Sequence, residues 1–173
     1  VMLIGSVEKA GEFDFPGRQA VVVYVRGCNL RCSYCGYASL LGGCETENGH
    51  DWDYVENYLR KRLDRIDAVV FSGGEPTLQD DLKGCLEKTK ALGLAVKLDT
   101  NGTNPKMIKS LLDKKLLDYI AMDLKASENK YRSTVGVDVE LPKIKESIKI
   151  ILKSGLPHEF RTTVVPALLE KSD

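Results

Sequence analysis

The chain has 173 residues, about one domain's worth, and 43% hydrophobic content, enough for a sizeable core. Its 25 basic and 25 acidic side chains cancel, which argues against the basic surface that a nucleic acid or an anionic membrane would select. No apolar run approaches a membrane span, Val1-Met2-Leu3-Ile4 is too short for a signal-peptide core, and five cysteines without a secretion signal point to a reducing, cytoplasmic setting and to metal or catalytic use.

Residues 1–18 hold Gly5, Gly11, Pro16 and Gly17. Asp14-Phe15-Pro16-Gly17 predicts a turn, with proline fixing φ and glycine permitting φ > 0. A first strand is predicted over about Gln19 to Arg26, because Val21-Val22-Val23-Tyr24-Val25 is a buried-strand run. A long polar loop follows, to about Gly49. Trp52, Val55, Leu59, Leu63 and Ile66 recur at helical spacing and predict a helix from Asp51 to about Arg65. Ala68-Val69-Val70-Phe71 is a short strand ending in Ser72-Gly73-Gly74-Glu75-Pro76-Thr77. A second helix is expected from Thr77, with Asp80 as its capping partner, and Gly93 ends it. A third strand, Leu94 to Leu98, runs into Asp99-Thr100-Asn101-Gly102. Asn104-Pro105 opens a third helix as N-cap and N1. A fourth strand, Tyr119 to Met122, runs into Asp123-Leu124-Lys125. A fourth helix covers about Pro142 to Ser154, with Ile144, Ile148, Ile151 and Leu152 on one side, and a fifth strand runs from Glu159 to Val165. Repeated strand-helix units predict a parallel sheet covered by helices. The polar clusters all fall at the C-terminal ends of strands, where α/β folds carry their ligands. The expected fold class is therefore α/β, a partial open β/α barrel.

The residues with the most chemistry are Cys28, Cys32 and Cys35, at C-x3-C-x2-C spacing on the loop that leaves the first strand. Three thiolates within eight residues can reach one metal centre. A [4Fe-4S] cluster usually takes four, so three leave one iron open, as catalytic metal sites require. A zinc knot or plain thiols are the blander readings, although zinc normally wants a fourth protein ligand. Gly73-Gly74-Glu75 alone reads as a tight turn, as does Asp99-x-x-Gly102, and Lys125 as a solvated strand-end lysine. Cys85 lies on the apolar face of the second predicted helix and reads as a small core hydrophobe. Cys44 is an idle thiol or a neighbour of the metal centre, and His50 and His158 read as non-ligands.

The stretch Cys28-Asn29-Leu30-Arg31-Cys32-Ser33-Tyr34-Cys35 resembles the C-x3-C-x-aromatic-C signature of the radical S-adenosylmethionine (SAM) enzymes, with Tyr34 at the aromatic position. The resemblance implies a six-stranded partial barrel forming one domain over residues 1–173, possible truncation after the fifth strand, and a [4Fe-4S] cluster on the three cysteines. In that family the open iron binds SAM, and one electron cleaves it to methionine and a 5′-deoxyadenosyl radical. Gly73-Gly74-Glu75 resembles the family's second motif, whose backbone and carboxylate contact the methionine amino group. The segments around Asp99, Asn101, Asp123 and Lys125 resemble those of the glycyl-radical-enzyme activating enzymes. There Asp99, Thr100, Asp123 and the Ala121 carbonyl would hold a monovalent cation, while Lys125 approaches the SAM carboxylate. Tyr34, Gly36 and Arg161 are implied to face the cofactor. With the Phe13-Asp14-Phe15-Pro16-Gly17-Arg18 turn, the chain is most similar to the activating proteins of anaerobic ribonucleoside-triphosphate reductases, although Gly36-Tyr37 replaces a His-Asn that many relatives carry. The implied partners are that glycyl-radical enzyme and an electron donor such as flavodoxin or ferredoxin, with no nucleic acid and no membrane. The alternatives are a pyruvate formate-lyase activating enzyme, a small-molecule radical SAM enzyme such as 7-carboxy-7-deazaguanine synthase, and a non-catalytic iron–sulfur or zinc module.

Overall fold

Six strands lie in one sheet in the order in which the chain makes them. This computed structural model describes residues 2–9, 14–41, 49–166 and 168–169. Strand β1 (Ile4–Lys9) runs antiparallel to β2 (Ala20–Val25), with Ile4 opposite Val25 and Lys9 opposite Val21. Strands β3 (Ala68–Gly73), β4 (Ala95–Thr100), β5 (Tyr119–Asp123) and β6 (His158–Arg161) then add in parallel. The crossovers carry α1 (Trp52–Arg60), α2 (Leu82–Ala91), α3 (Pro105–Asp113), the short α4 (Tyr131–Val135) and α5 (Leu141–Ser154). The sheet is mixed and does not close.

Alternation along each strand gives the sheet two different faces. The outer face presents Val21, Val23, Val69, Phe71, Val96, Leu98, Ile120 and Met122 to the apolar stripes of the helices, such as Val55 and Leu59 of α1 or Leu82 and Leu86 of α2. Each such fully buried side chain is worth about 1.5–3 kcal/mol, so this layer holds the helices against the sheet. The inner face is narrower at its lower end, where Ala20, Val22, Ala68, Val70 and Ala95 leave room for Phe15. Phe15 arrives on the predicted 14–17 turn, closed by Arg18 N–H to the Phe15 carbonyl at 3.0 Å. The turn therefore plugs the barrel floor and leaves the upper inner face for polar side chains.

Several boundaries differ from the sequence expectation. The sequence pattern places its first strand at Gln19 and none before it; Ile4–Lys9 nonetheless pairs antiparallel to β2 and carries no strong strand pattern of its own. The helix α1 stops at Arg60, so Leu63 is exposed while Ile66 is buried. Pro76–Leu78 forms a 3-10 turn capped by Glu75, and α2 begins only at Leu82, so Thr77 and Asp80 do not form a capping pair. Asn104 does cap α3, accepting from Met107 N–H at 3.2 Å. Leu152 of α5 is exposed, and β6 ends at Arg161 rather than Val165.

Candidate active site

The inner face becomes ionic toward the strand ends. Lys97 stands two residues before Asp99 on β4, and Glu159 two residues before Arg161 on β6, so each pair shares the inner side. Ala121 lies opposite both Asp99 and Glu159, and Asp123 opposite Arg161. A cavity of about 470 Å³ opens above this row, lined by Tyr24, Ser72, Gly73, Gly74, Asp99, Thr100, Asn101, Asp123, Lys125 and Arg161. The same cavity is lined by Cys28, Cys32, Tyr34, Cys35 and Gly36 of the cysteine loop. The structure thus brings together every expected site residue except Glu75, along with the Ala121 position beneath them.

The cysteine loop is anchored by Leu30, which is buried in the main core, and by Arg31 N–H to the Val135 carbonyl of α4 at 2.8 Å. Cys35 N–H returns to the Cys32 carbonyl at 3.1 Å, turning the loop so that its thiols face one space. All three thiols are free and half-buried. Burial pushes the Cys28 and Cys32 thiols above their ordinary pKa, against the pull of the Leu30 N–H on Cys28 and the Lys125 ammonium on Cys32. Among the described residues no three Cys, His, Asp or Glu side chains are grouped to share one metal ion. A cubane asks for something different, since its ligands sit on separate irons. Three free thiols ringing one cavity fit that donor set. Cys44 lies outside the described residues. Cys85 is buried on α2 with its pKa pushed up to about 12 by desolvation, which fits an inert core thiol.

Gly73 and Gly74 line the cavity because the chain there runs against the exit of β2. Gly74 N–H donates to the Val25 carbonyl and Glu75 N–H to the Gly27 carbonyl, both at 2.8 Å. Gly73 has φ +101°, and a Cβ on it would meet Val25 backbone atoms at 2.7 Å, while one on Gly74 would collide with Gly27. The requirement for glycine therefore comes from this contact between two loops of the chain. Glu75 departs from expectation. Its carboxylate is buried away from the cavity and accepts from Thr77 N–H (3.1 Å), Thr77 Oγ1 (2.5 Å), Thr100 Oγ1 (2.7 Å) and Asn101 N–H (2.7 Å). Burial raises its pKa while these four donors pull it down. The side chain ties the β3 loop to the β4 loop, with three of its four hydrogen bonds on Oε1 and one on Oε2. The Thr100 hydroxyl donates to Glu75 and accepts from Gly102 N–H at 3.1 Å.

Three cations and three carboxylates alternate across the upper barrel. Lys125 Nζ donates to Asp123 Oδ2 at 2.9 Å, and Arg161 Nε to Asp123 Oδ1 at 2.9 Å. The Arg161 guanidinium also reaches Asp99 Oδ2 at 3.4 Å, where Ser72 Oγ donates at 3.0 Å. Lys97, 1% exposed, donates to the Asp14 carbonyl at 2.7 Å and to Glu159 at 3.2 Å. Burial disfavours the charged forms of Lys125 and Arg161, yet the neighbouring carboxylates outweigh it and raise both pKa values. Burial also raises the Asp99 pKa, opposed first by Arg161 and then by Lys97. Two buried polar atoms of residues that line the cavity have no hydrogen-bond partner: the Tyr34 hydroxyl and Asp99 Oδ1, the latter ion-paired with Lys97 Nζ at 3.6 Å. Lys97, Glu159 and Ser72 were not singled out from the sequence. A lysine two places before Asp99 in an otherwise apolar strand is the signal that could have marked them.

The fold is a partial β/α barrel with three free thiols and a buried ionic row at the C-terminal ends of its strands, a donor set suited to a metal–sulfur centre. The model of the radical SAM superfamily matches residues 22–172, and the chain belongs to that superfamily. A Methanocaldococcus jannaschii protein assigned by inference as a glycyl-radical enzyme activating enzyme is 34% identical over 176 residues, 99% of this chain and 72% of its own length. The 7-carboxy-7-deazaguanine synthase of Archaeoglobus fulgidus is 35% identical over 123 residues, 68% of this chain and 52% of its own. Among solved structures, TYW1 with a lysine-pyruvate adduct bound has a TM-score of 0.66 at 18% identity, over 93% of this chain and 61% of that one, a likeness of fold. The chain thus spans between 52% and 72% of the length of these relatives. Among the described residues no helix is long and apolar enough to cross a membrane.

Proposed function

We propose that this chain is a single-domain glycyl-radical-enzyme activase that uses a [4Fe-4S] cluster and SAM, works in the cytoplasm, and acts on an anaerobic ribonucleoside-triphosphate reductase. The observation that carries the reading is the meeting of three free thiols with Lys125, Asp123 and the Gly73-Gly74 backbone on one cavity. Cys28, Cys32 and Cys35 would hold the cluster, which when bound supplies the electron that cleaves SAM to methionine and a 5′-deoxyadenosyl radical. Metal binding must displace the thiol protons, and the Lys125 ammonium beside Cys32 favours their loss. Lys125 would bind the SAM carboxylate, keeping Asp123 as its counter-ion. Asp99 Oδ1, which accepts no hydrogen bond and lies 3.6 Å from Lys97 Nζ, would with Asp123 take a monovalent cation, freeing Arg161 to turn toward the cofactor. Gly73 and Gly74 would line the methionine end, Tyr34, Gly36 and Asn101 the rest, with Glu75 bracing the loop from behind.

The relative assigned as an activating enzyme supports this class over the others, matching 99% of the chain. The open sheet would also let an extended glycine-bearing loop reach the cavity. Flavodoxin or ferredoxin would supply the electron. The deazaguanine synthase match favours a second reading, a small-molecule radical SAM enzyme. The two are separated by giving anaerobically reconstituted protein SAM, dithionite and either the reductase or a small purine precursor, and counting 5′-deoxyadenosine. The activase reading expects slow cleavage alone and faster cleavage with the reductase, without turnover of the precursor. Rapid turnover of the precursor with no effect of the reductase overturns it.

A further inference from the structure

Asn101 sits where it can act on a cysteine. It is 5% exposed, and its backbone N–H is held by Glu75 Oε2 at 2.7 Å. Its side-chain amide orientation follows from its neighbours, which is how such an orientation is assigned. Oδ1 accepts from Thr103 N–H at 3.0 Å and from Thr103 Oγ1 at 2.7 Å. Thr103 Oγ1 accepts in turn from Asn29 Nδ2 at 2.9 Å, and Asn29 Oδ1 accepts from Asn101 Nδ2 at 3.0 Å. Three side chains thus form a closed ring in which each donates once and accepts once. The ring uses one hydrogen of the Asn101 amide, and Nδ2 also lies 3.8 Å from Cys28 Sγ. Cys28 Sγ receives a second N–H from the Leu30 backbone at 3.4 Å.

We propose that Asn101 is a positioning residue that tunes the metal centre by donating its second amide hydrogen to the Cys28 sulfur. This rests on the proposed [4Fe-4S] reading of the three cysteines. Hydrogen bonds to ligating sulfurs are among the determinants of a cluster's potential, and outer partners of ligands are an established means of adjusting a metal. An N–H dipole aimed at the sulfur favours the reduced, more negative cluster, so removing it makes the cluster harder to reduce.

The test is a dithionite titration of reconstituted protein followed by electron paramagnetic resonance (EPR), without SAM, comparing wild type with Asn101→Leu and Thr103→Val. The expected result is equal iron content and an Asn101→Leu midpoint more negative by about a tenfold change in the reduction equilibrium, or about 59 mV for one electron. Thr103→Val keeps the amide but opens the ring, and should move the midpoint in the same direction by less. A merely structural role for Asn101 would leave the potential of the loaded protein in place. An unmoved midpoint in either variant that loads its cluster overturns the proposal. A wild-type protein that takes up no iron–sulfur cluster instead overturns the parent reading.

Discussion

Replacing Glu75 with alanine separates a brace from a ligand-binding carboxylate. In the structure the carboxylate accepts four hydrogen bonds from the β3 and β4 loops and does not line the cavity. The Thr77 and Thr100 hydroxyls can rotate toward other acceptors when it is removed. The Thr77 and Asn101 backbone N–H groups cannot, and a buried donor left without a partner costs about 1–3 kcal/mol. Glu75→Ala should therefore lose about 4 kcal/mol, which for a chain of this size lowers the melting temperature by roughly 8–16 °C. Glu75→Gln keeps one acceptor oxygen and turns an amide toward Asn101 N–H, so it should fall between. Thermal unfolding of cluster-free protein by circular dichroism reads the effect without SAM. A Glu75→Ala protein that melts like wild type but no longer binds SAM would refute the brace and return the carboxylate to the ligand.

Lys125→Ala should weaken SAM binding by about 1–3 kcal/mol, the range for a hydrogen bond to a charged group, as measured by anaerobic equilibrium binding. Cys28→Ala, Cys32→Ala and Cys35→Ala should each abolish SAM cleavage while Cys85→Ala retains it. In cluster-free native protein at pH 8, iodoacetamide should label those three and spare Cys85, as peptide mass spectrometry would show. The Cys85 thiol has its pKa raised from 9.0 to about 12, so its stabilising contribution is complete below pH 9 and is lost as pH rises toward 12. Alkaline unfolding across that window should be less steep in Cys85→Ala. Lys97→Met should cost roughly 2 kcal/mol by urea unfolding, below the ~3–5 kcal/mol for breaking a fully buried pair, because Glu159 is partly exposed.

The parallel strands were legible because a strand covered on both faces must be an unbroken apolar run, and Val21 to Val25 and Val69 to Phe71 are such runs. The helices were legible from spacing, and Asn104-Pro105 from capping chemistry. The strand β1 was not, since its stability comes from pairing with Val21 to Val25, which no local pattern of Ile4 to Lys9 announces. The start of α2 was misplaced for a related reason. Thr77 looks like a cap for the helix that follows, but its N–H and hydroxyl are taken by Glu75, two residues before it. The residues of the site were legible by type and by their places at strand ends. Their partners were not: that Arg161 lies between Asp99 and Asp123, or that Lys97 is buried beside Glu159, depends on register between strands distant in sequence.

On the proposed activase function, Cys28, Cys32 and Cys35 carry a cluster whose chemistry ends as a radical on a partner protein. The most direct measurement is anaerobic EPR of the reconstituted protein mixed with SAM, a reductant and an anaerobic ribonucleoside-triphosphate reductase. The account predicts a persistent glycyl-radical signal on the reductase that needs SAM and disappears with any one of the three Cys→Ala substitutions. A fully loaded protein that cleaves SAM yet leaves the reductase free of radical would contradict it.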